Sequence, residues 1–287
     1  KTERCLTALK GTGVGVYGDV YEAVSVMGSI YNYYHFLKER SDDVVDVEID
    51  TAAIDRVLDG AYKEKRSFLL ANEGQAVMRA AGVLVPQSAI CRNLEETVQK
   101  AEEIGYPVVL KVVSRDILHK SDAGGVALDL LDRKELVDAY QAIMHNCRAY
   151  KADARIDGVE VVEMVKPGTE TIIGARRDKT FGPIIMFGLG GIYVEVMKDV
   201  AFRALPVNQK EIMSMIKEIR GYPLLLGVRG EEKKDIDQVV ETILKVGAIL
   251  QKCQRISDIE INPLVVYEHG QGVKAVDVRI LITKLNQ

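Results

Sequence analysis

YPVVLKVVSRDILHKSDAGGV, residues 106–126, is the stretch from which the rest of the chain is read. Residues 108–113 form an apolar run with one lysine, Lys111, in its middle. An ammonium group in a buried-looking strand is costly unless it points at an anion. A polar segment with His119, Lys120 and Ser121 follows, and Gly124-Gly125 then leads into a second apolar stretch. Paired glycines let a backbone approach phosphate oxygens closely and present its N–H groups. Two lysines, a histidine and a glycine pair in so short a span read as phosphate handling.

Composition sets the outer limits. A chain of 287 residues has room for one large domain or two smaller ones with a real core. The formal net charge of −4 gives no reason to expect a nucleic-acid or anionic-membrane partner. No uninterrupted apolar run is long enough to span a bilayer, and no signal-peptide pattern stands at the start. The four cysteines, Cys5, Cys91, Cys147 and Cys253, lack CxxC spacing and read as reduced thiols of a cytoplasmic protein.

Upstream of the lysine strand, GTGVGVYG (11–18) has no GK[ST] and reads as a short strand with turn glycines. Asp19-x-x-Glu22 has capping-box form and opens a helix to about residue 39, on which His35 is a structural or surface residue. The acidic run 41–50 reads as a solvated linker, whose Asp42, Asp43 and Asp46 face water rather than a metal. A short helix is expected over 51–58, and another from Ser67 to about 81, stopped by Gly82. Pro86 places the strand 84–90 at an edge. Asn93-x-x-Glu96 opens a further helix that Gly105 ends. The lysine strand follows, then a strand over 123–130, and then a helix capped by Asp132-x-x-Glu135. This is an α+β subdomain of the kind that forms one jaw of a nucleotide-binding clamp.

Downstream, residues 159–165 (VEVVEMV) read as a strand closed by Pro167-Gly168. Strands 171–177 and 183–187 make a hairpin, and FGLGG leads to a strand at 193–197. Helices are expected over 209–220 and 231–252, and paired strands over 256–261 and 273–280. Asp277, between Val276 and Val278, is hard to place inside a core strand unless it binds something. With Asn262 it suits a hard oxygen-loving cation such as Mg2+ beside phosphate oxygens, although Asn262-Pro263 also reads as a simple turn.

Taken in order, YPVVLKVVS, DILHKSDAGGV, VEMVKPGTETIIGARRDKTFGPIIMFGLGGIYVE, DVAFRALP and DIEINPLVV resemble the ATP-grasp part of ADP-forming acyl-CoA synthetases. These acetate–CoA ligases are relatives of the succinyl-CoA synthetases, whose beta subunits carry the same part. The resemblance runs from about Leu70 to the end. It implies an α+β, ATP-grasp fold of two α+β subdomains, preceded by a short strand-helix segment from a CoA-ligase domain. On that basis residues 1–60 are the ligase tail and acidic linker, and 61–287 the ATP-grasp domain. The small subdomain spans about 84–158, and the larger one 159–287 together with the helix 67–82.

The resemblance also implies chemistry. The family couples an acyl-CoA thioester to ATP through an acyl phosphate and a phosphohistidine, so catalysis is mostly positioning and charge neutralisation. It implies ATP/ADP and Mg2+ as cofactors. His119, Lys111 and Arg203 become catalytic candidates, with His119 carrying the phosphoryl group on the nucleotide side. The expected nucleotide-binding set is Lys111, Ser114, Lys120, Gly124, Gly125, Glu163, Met164, Val165 and Glu170. Glu163, Met164 and Val165 hold the adenine edge. Gly188, Gly190, Gly191 and Glu195 form the second, phosphate-side loop. Asn262 and Asp277 are the expected metal ligands, with Glu260 a weaker candidate. The implied partners are CoA-binding and CoA-ligase domains that carry the primary phosphohistidine, in a separate subunit or a longer parent chain, and an oligomer is expected. A regulatory synthetase-like module of a protein lysine acetyltransferase is the alternative reading. A different ATP-grasp ligase with an amine acceptor is another, although it leaves HKSDAGG without a purpose.

Overall fold

The computed structural model describes residues 9, 12–13, 15–39, 46–114, 116–117, 120–191, 198–228 and 230–283. The chain divides into two compact units, 1–44 and 45–287. In the first, helix α1 (Val20–Glu39) starts where the capping box places it, the Asp19 carboxylate accepting from the Glu22 N–H at 2.8 Å. Its Tyr21, Val24, Met27, Ile30, Tyr31 and Tyr34 are exposed. His35 stacks with Tyr31 at 4.3 Å between ring centroids, a packing role.

In the second unit the elements are α2 (Thr51–Lys63), α3 (Ala71–Ala80), β1 (Ser88–Cys91), α4 (Leu94–Ile104), β2 (Val108–Ser114), β3 (Val126–Leu130), α5 (Arg133–Tyr150) and β4 (Ile156–Glu163). After them come β5 (Thr169–Asp178), β6 (Gly182–Leu189), β7 (Val200–Ala204), α6 (Gln209–Glu218), α7 (Tyr222–Leu225), α8 (Ile236–Lys252), β8 (Ile256–Val266), β9 (Val273–Ala275) and β10 (Val278–Ile282). Helix α2 runs beyond the expected 58, because its buried face continues from Ile54 and Leu58 to Ala61. All three are fully buried in the core of this unit, so the break between units falls at 44/45 and not at 60. Helix α3 begins later than expected. Residues 68–69 are drawn into extended pairing instead, Phe68 bridging Leu281 and the Leu69 N–H donating to Ile280 O at 3.0 Å.

Strands β1 to β4 form an antiparallel sheet in the order β1-β4-β2-β3. Side chains alternate across a strand, so two faces can be told apart. Val108, Leu110 and Val112 of β2 and Val159 and Val161 of β4 join Val98, Ala101, Leu136 and Ile143 of α4 and α5 in one core. Lys111, Val113, Glu160, Val162 and Ile90 fall on the opposite, open face. The second sheet has the order β10-β8-β5-β6-β7, with β9 beside β8. Ile173, Ala175, Ile185, Ile259, Ile261 and Ile280 turn into the larger core with α3 and α8. Glu260, Gly174, Met186, Phe202 and Arg279 share its other face.

The strand expected over 273–280 is broken into β9 and β10, and Asp277 sits in the break, exposed. It is therefore no buried aspartate inside a strand. Among the described residues no helix is long and apolar enough to cross a membrane.

Half-buried Arg177 on β5 ties the sheet to α8. Its Nε donates to Ile256 O at 2.9 Å, and one Nη reaches Leu250 O and Cys253 O. These include carbonyls that the end of α8 leaves without helical partners. Arg177→Met is expected to cost about 2 kcal/mol and to lower Tm by about 4–8 °C, read by thermal denaturation, with Arg177→Lys intermediate.

Candidate functional site: the open faces of two sheets

Lys111 stands on the open face of the first sheet, directly opposite Glu160 on β4 and Val126 on β3. It is half-buried and has no hydrogen-bond or ion-pair partner among the described residues. Glu160 is only 4 % exposed, and its Oε1 has no hydrogen-bond partner there either. A cleft of about 380 Å³ opens between this face and residues 64–72, lined by Ile90, Val113, Ser114, Lys120 and Glu160 on one side and Arg66, Phe68 and Leu70 on the other. Ser114 and Lys120 of the expected nucleotide set thus share one cleft. Ser114 Oγ is itself tied down, donating to Arg155 O at 2.8 Å and accepting from the Asp116 N–H at 3.2 Å.

The glycine pair plays a different part from the expected one. The Gly124 N–H donates to Ser121 O at 3.0 Å and the Gly125 N–H to Lys120 O at 2.8 Å, so both amides close the 120–125 turn and are not presented to a phosphate. The glycines are there for shape. Gly124 has φ +62°, and a Cβ on Gly125 would come within 2.5 Å of Val112. His119 lies outside the described residues.

At the other end of β4, the Glu163 carboxylate accepts from Lys274 Nζ of β9 at 2.5 Å and from the Gln87 N–H at 3.1 Å. The side chain thus clamps one sheet to the other. Burial alone would raise its pKa, but these two donors outweigh it and hold the carboxyl below its usual range. The Met164 N–H donates to Pro107 O at 3.2 Å. For a base edge, this leaves the Met164 carbonyl and the backbone of Val165.

On the second sheet Glu260 and Asn262 lie two residues apart on β8, hence on one face. The Asn262 N–H donates to Asp277 O at 3.1 Å, which sets Asp277 beside it. Gly188 belongs to β6 and not to a loop. The Gly190 N–H donates to Glu170 O at 2.8 Å. Gly191 has φ +59°, and a Cβ there would meet the Glu170 carboxylate at 2.7 Å. Glu195 lies outside the described residues.

Arg203 is a correction. It pairs across strands with Ile185, which pairs with Ala175, which pairs with Ile259, a row that faces the helix-packed core. Its guanidinium is held by the Glu218 carboxylate of α6 and by Phe202 O. Glu260, the next residue after Ile259, points the other way. Arg203 therefore does not join the metal candidates.

The ATP-grasp domain family matches residues 60–282. The beta subunit of acetate–CoA ligase [ADP-forming] II from Pyrococcus furiosus is 42 % identical over 79 % of this chain and 97 % of its own length. The chain belongs to the ATP-grasp family. Within it, the chain stands with the ADP-forming acyl-CoA ligases. It is 41 % identical, over 90 % of its length, to 4-hydroxybutyrate–CoA ligase [ADP-forming] of Nitrosopumilus maritimus, but spans only 37 % of that relative. Among solved structures, the dinucleotide-forming acetyl-coenzyme A synthetase 1 of Ca. Korarchaeum cryptofilum, in complex with coenzyme A and Mg-AMPPCP, matches with a TM-score of 0.71 and 38 % identity, covering 80 % of this chain and all of that one.

An ATP-grasp site needs a divalent cation with its phosphates, and the donor set here fits Mg2+. Asn262 and Asp277 offer an amide oxygen and a carboxylate side by side, with Glu260 on the same face of β8 as Asn262. Among the described residues no group of three or more Asp, Glu, His or Cys side chains forms a closed cage. Mg2+ is commonly held by one or two carboxylates, with water and substrate phosphates completing its octahedron.

Glu160 and the Glu163–Lys274 clamp were not foreseen from sequence. Both depend on which residues stand opposite one another across strands, which a single strand's pattern does not reveal. The only sequence signal was the glutamate replacing a valine in VEVVEMV. Lys274→Met is expected to lower stability by about 1 kcal/mol at pH 7. Because the folded-state pKa of Glu163 is depressed, that difference is present above the unfolded value. It should shrink as pH falls below about 4.3, measured by urea denaturation of wild type and variant.

Proposed function

We propose that this chain is the nucleotide-binding, phosphoryl-transferring part of an ADP-forming acyl-CoA synthetase. In the full reaction acyl-CoA, ADP and phosphate give the acid, CoA and ATP, reversibly, through a phosphohistidine. The observation that carries this reading is the pair of open faces, one with an uncompensated lysine and the other with adjacent oxygen donors.

The division of labour follows from charge. Lys111 meets nucleotide phosphate oxygens, with Lys120 and Ser114 at the same end of the cleft. Residues 163–165 take the adenine edge through backbone groups, since the Glu163 carboxylate is already engaged. Asn262 and Asp277 hold Mg2+, which when bound neutralises charge on the phosphates. His119 accepts the phosphoryl group: an imidazole nitrogen forms the N–P bond as the bond to the donor oxygen breaks, and ADP then takes the group. The primary phosphohistidine and the CoA site belong to a CoA-ligase portion outside this sequence, in a cytoplasmic oligomer. The Korarchaeum structure, whose phosphohistidine segment is described as pointing towards the nucleotide binding site, supports such a relay.

The full chain is expected to bind ADP with Mg2+. Lys111→Met should weaken binding tenfold or more, while Asn262→Ala and Asp277→Ala remove mainly the Mg2+-dependent part, all by isothermal titration. With γ-labelled ATP, Mg2+ and the CoA-ligase portion, acid-labile, base-stable label is expected on His119 and is lost in His119→Ala. Nucleotide binding without label, even with that portion present, points to a regulatory module. Absence of nucleotide binding overturns the reading.

A further inference from the structure

The nucleotide reading leaves one group in the cleft unused, the carboxylate of Glu160. It is 4 % exposed, lines the cleft, and its Oε1 finds no donor among the described residues. A buried carboxylate without donors is costly, so a ligand that fills this cleft must bring a donor or a cation to it.

We propose that Glu160 reads the ribose of the nucleotide, accepting a hydrogen bond from its 2′- or 3′-hydroxyl while Lys111 takes an oxygen of the first phosphate. This rests on the nucleotide reading of the same cleft and goes beyond it by naming a specificity-determining residue. The register supplies the geometry. Glu160 and Lys111 are direct cross-strand partners on the same face, so their Cβ atoms lie about 5 Å apart. Phosphate oxygens are acceptors and are repelled by a carboxylate, so they go to the lysine and not to Glu160. The base edge belongs at residues 163–165, three to five positions along from Glu160, or about 10–17 Å of strand. Between base and phosphate a nucleotide carries its sugar, and the sugar's free polar groups are hydroxyl donors. Ile90, Val113, Phe68 and Leu70 supply apolar walls around it.

The charged neighbours do not serve instead. Arg66 is bonded to both Glu73 oxygens and to Glu64. Asp157 is paired with Arg155 at 3.1 Å, leaving Glu160 without a second free carboxylate for a cation. Among the described residues no metal-binding group of three or more such side chains includes it.

The test is equilibrium binding of ADP, 2′-deoxy-ADP and 3′-deoxy-ADP, each with Mg2+, to the full chain as wild type, Glu160→Gln and Glu160→Leu. Wild type is expected to prefer ADP over at least one deoxy analogue by about tenfold or more. Glu160→Leu should bring that ratio within about twofold, through weaker ADP binding alone. Glu160→Gln keeps the shape and an acceptor oxygen, so its ratio should fall between the two. It also carries the test if the leucine variant does not fold. Wild type that binds all three equally, or variants that keep the full preference, would overturn the proposal while nucleotide binding stands. No binding of any nucleotide to wild type would remove both readings together.

Discussion

An ammonium group on an otherwise apolar sheet face is the constraint on which the site depends. Lys111 stands between Val109 and Val113 on the open face of β2, and no acid among the described residues neutralises it. Strand alternation puts it there, because the same strand must send Val108, Leu110 and Val112 into the helix-packed core. A one-residue slip would bury the lysine and expose the valines, so packing and function fix the same register. The buried face thereby holds the ammonium where a phosphate can reach it.

The second sheet repeats the division. Its isoleucine-rich face packs on α3 and α8, and the reverse face of β8 carries Glu260 and Asn262. The two sheets are joined at the Glu163–Lys274 clamp, beside the residues proposed to hold the base edge. A fixed hinge with charged groups further along each jaw is an arrangement suited to phosphoryl transfer. There catalysis is chiefly a matter of bringing oxygens and counter-charges into line.

The capping boxes at Asp19, Asn93 and Asp132 were legible in sequence and begin helices where expected, since a cap is local chemistry. The lysine strand was legible for the same reason, an ionic group breaking an apolar run. What sequence concealed was mostly tertiary. Gly124 and Gly125 looked like phosphate donors, but their amides close a turn. Arg203 looked like a phosphate clamp, but its row of cross-strand partners faces the core. Asp277 looked buried because valines flank it, yet the strand breaks around it. Glu160 carried almost no signal, because its meaning lies in the lysine opposite.

The central claim is that one nucleotide is held by both open faces at once. A crystal structure of the full chain grown with Mg2+ and a non-hydrolysable ATP analogue tests it most directly. The account predicts phosphate oxygens within hydrogen-bonding reach of Lys111 Nζ, with the metal on Asn262 and Asp277 and the base against residues 163–165. A nucleotide that touches only one sheet, or that binds away from Lys111, would contradict it.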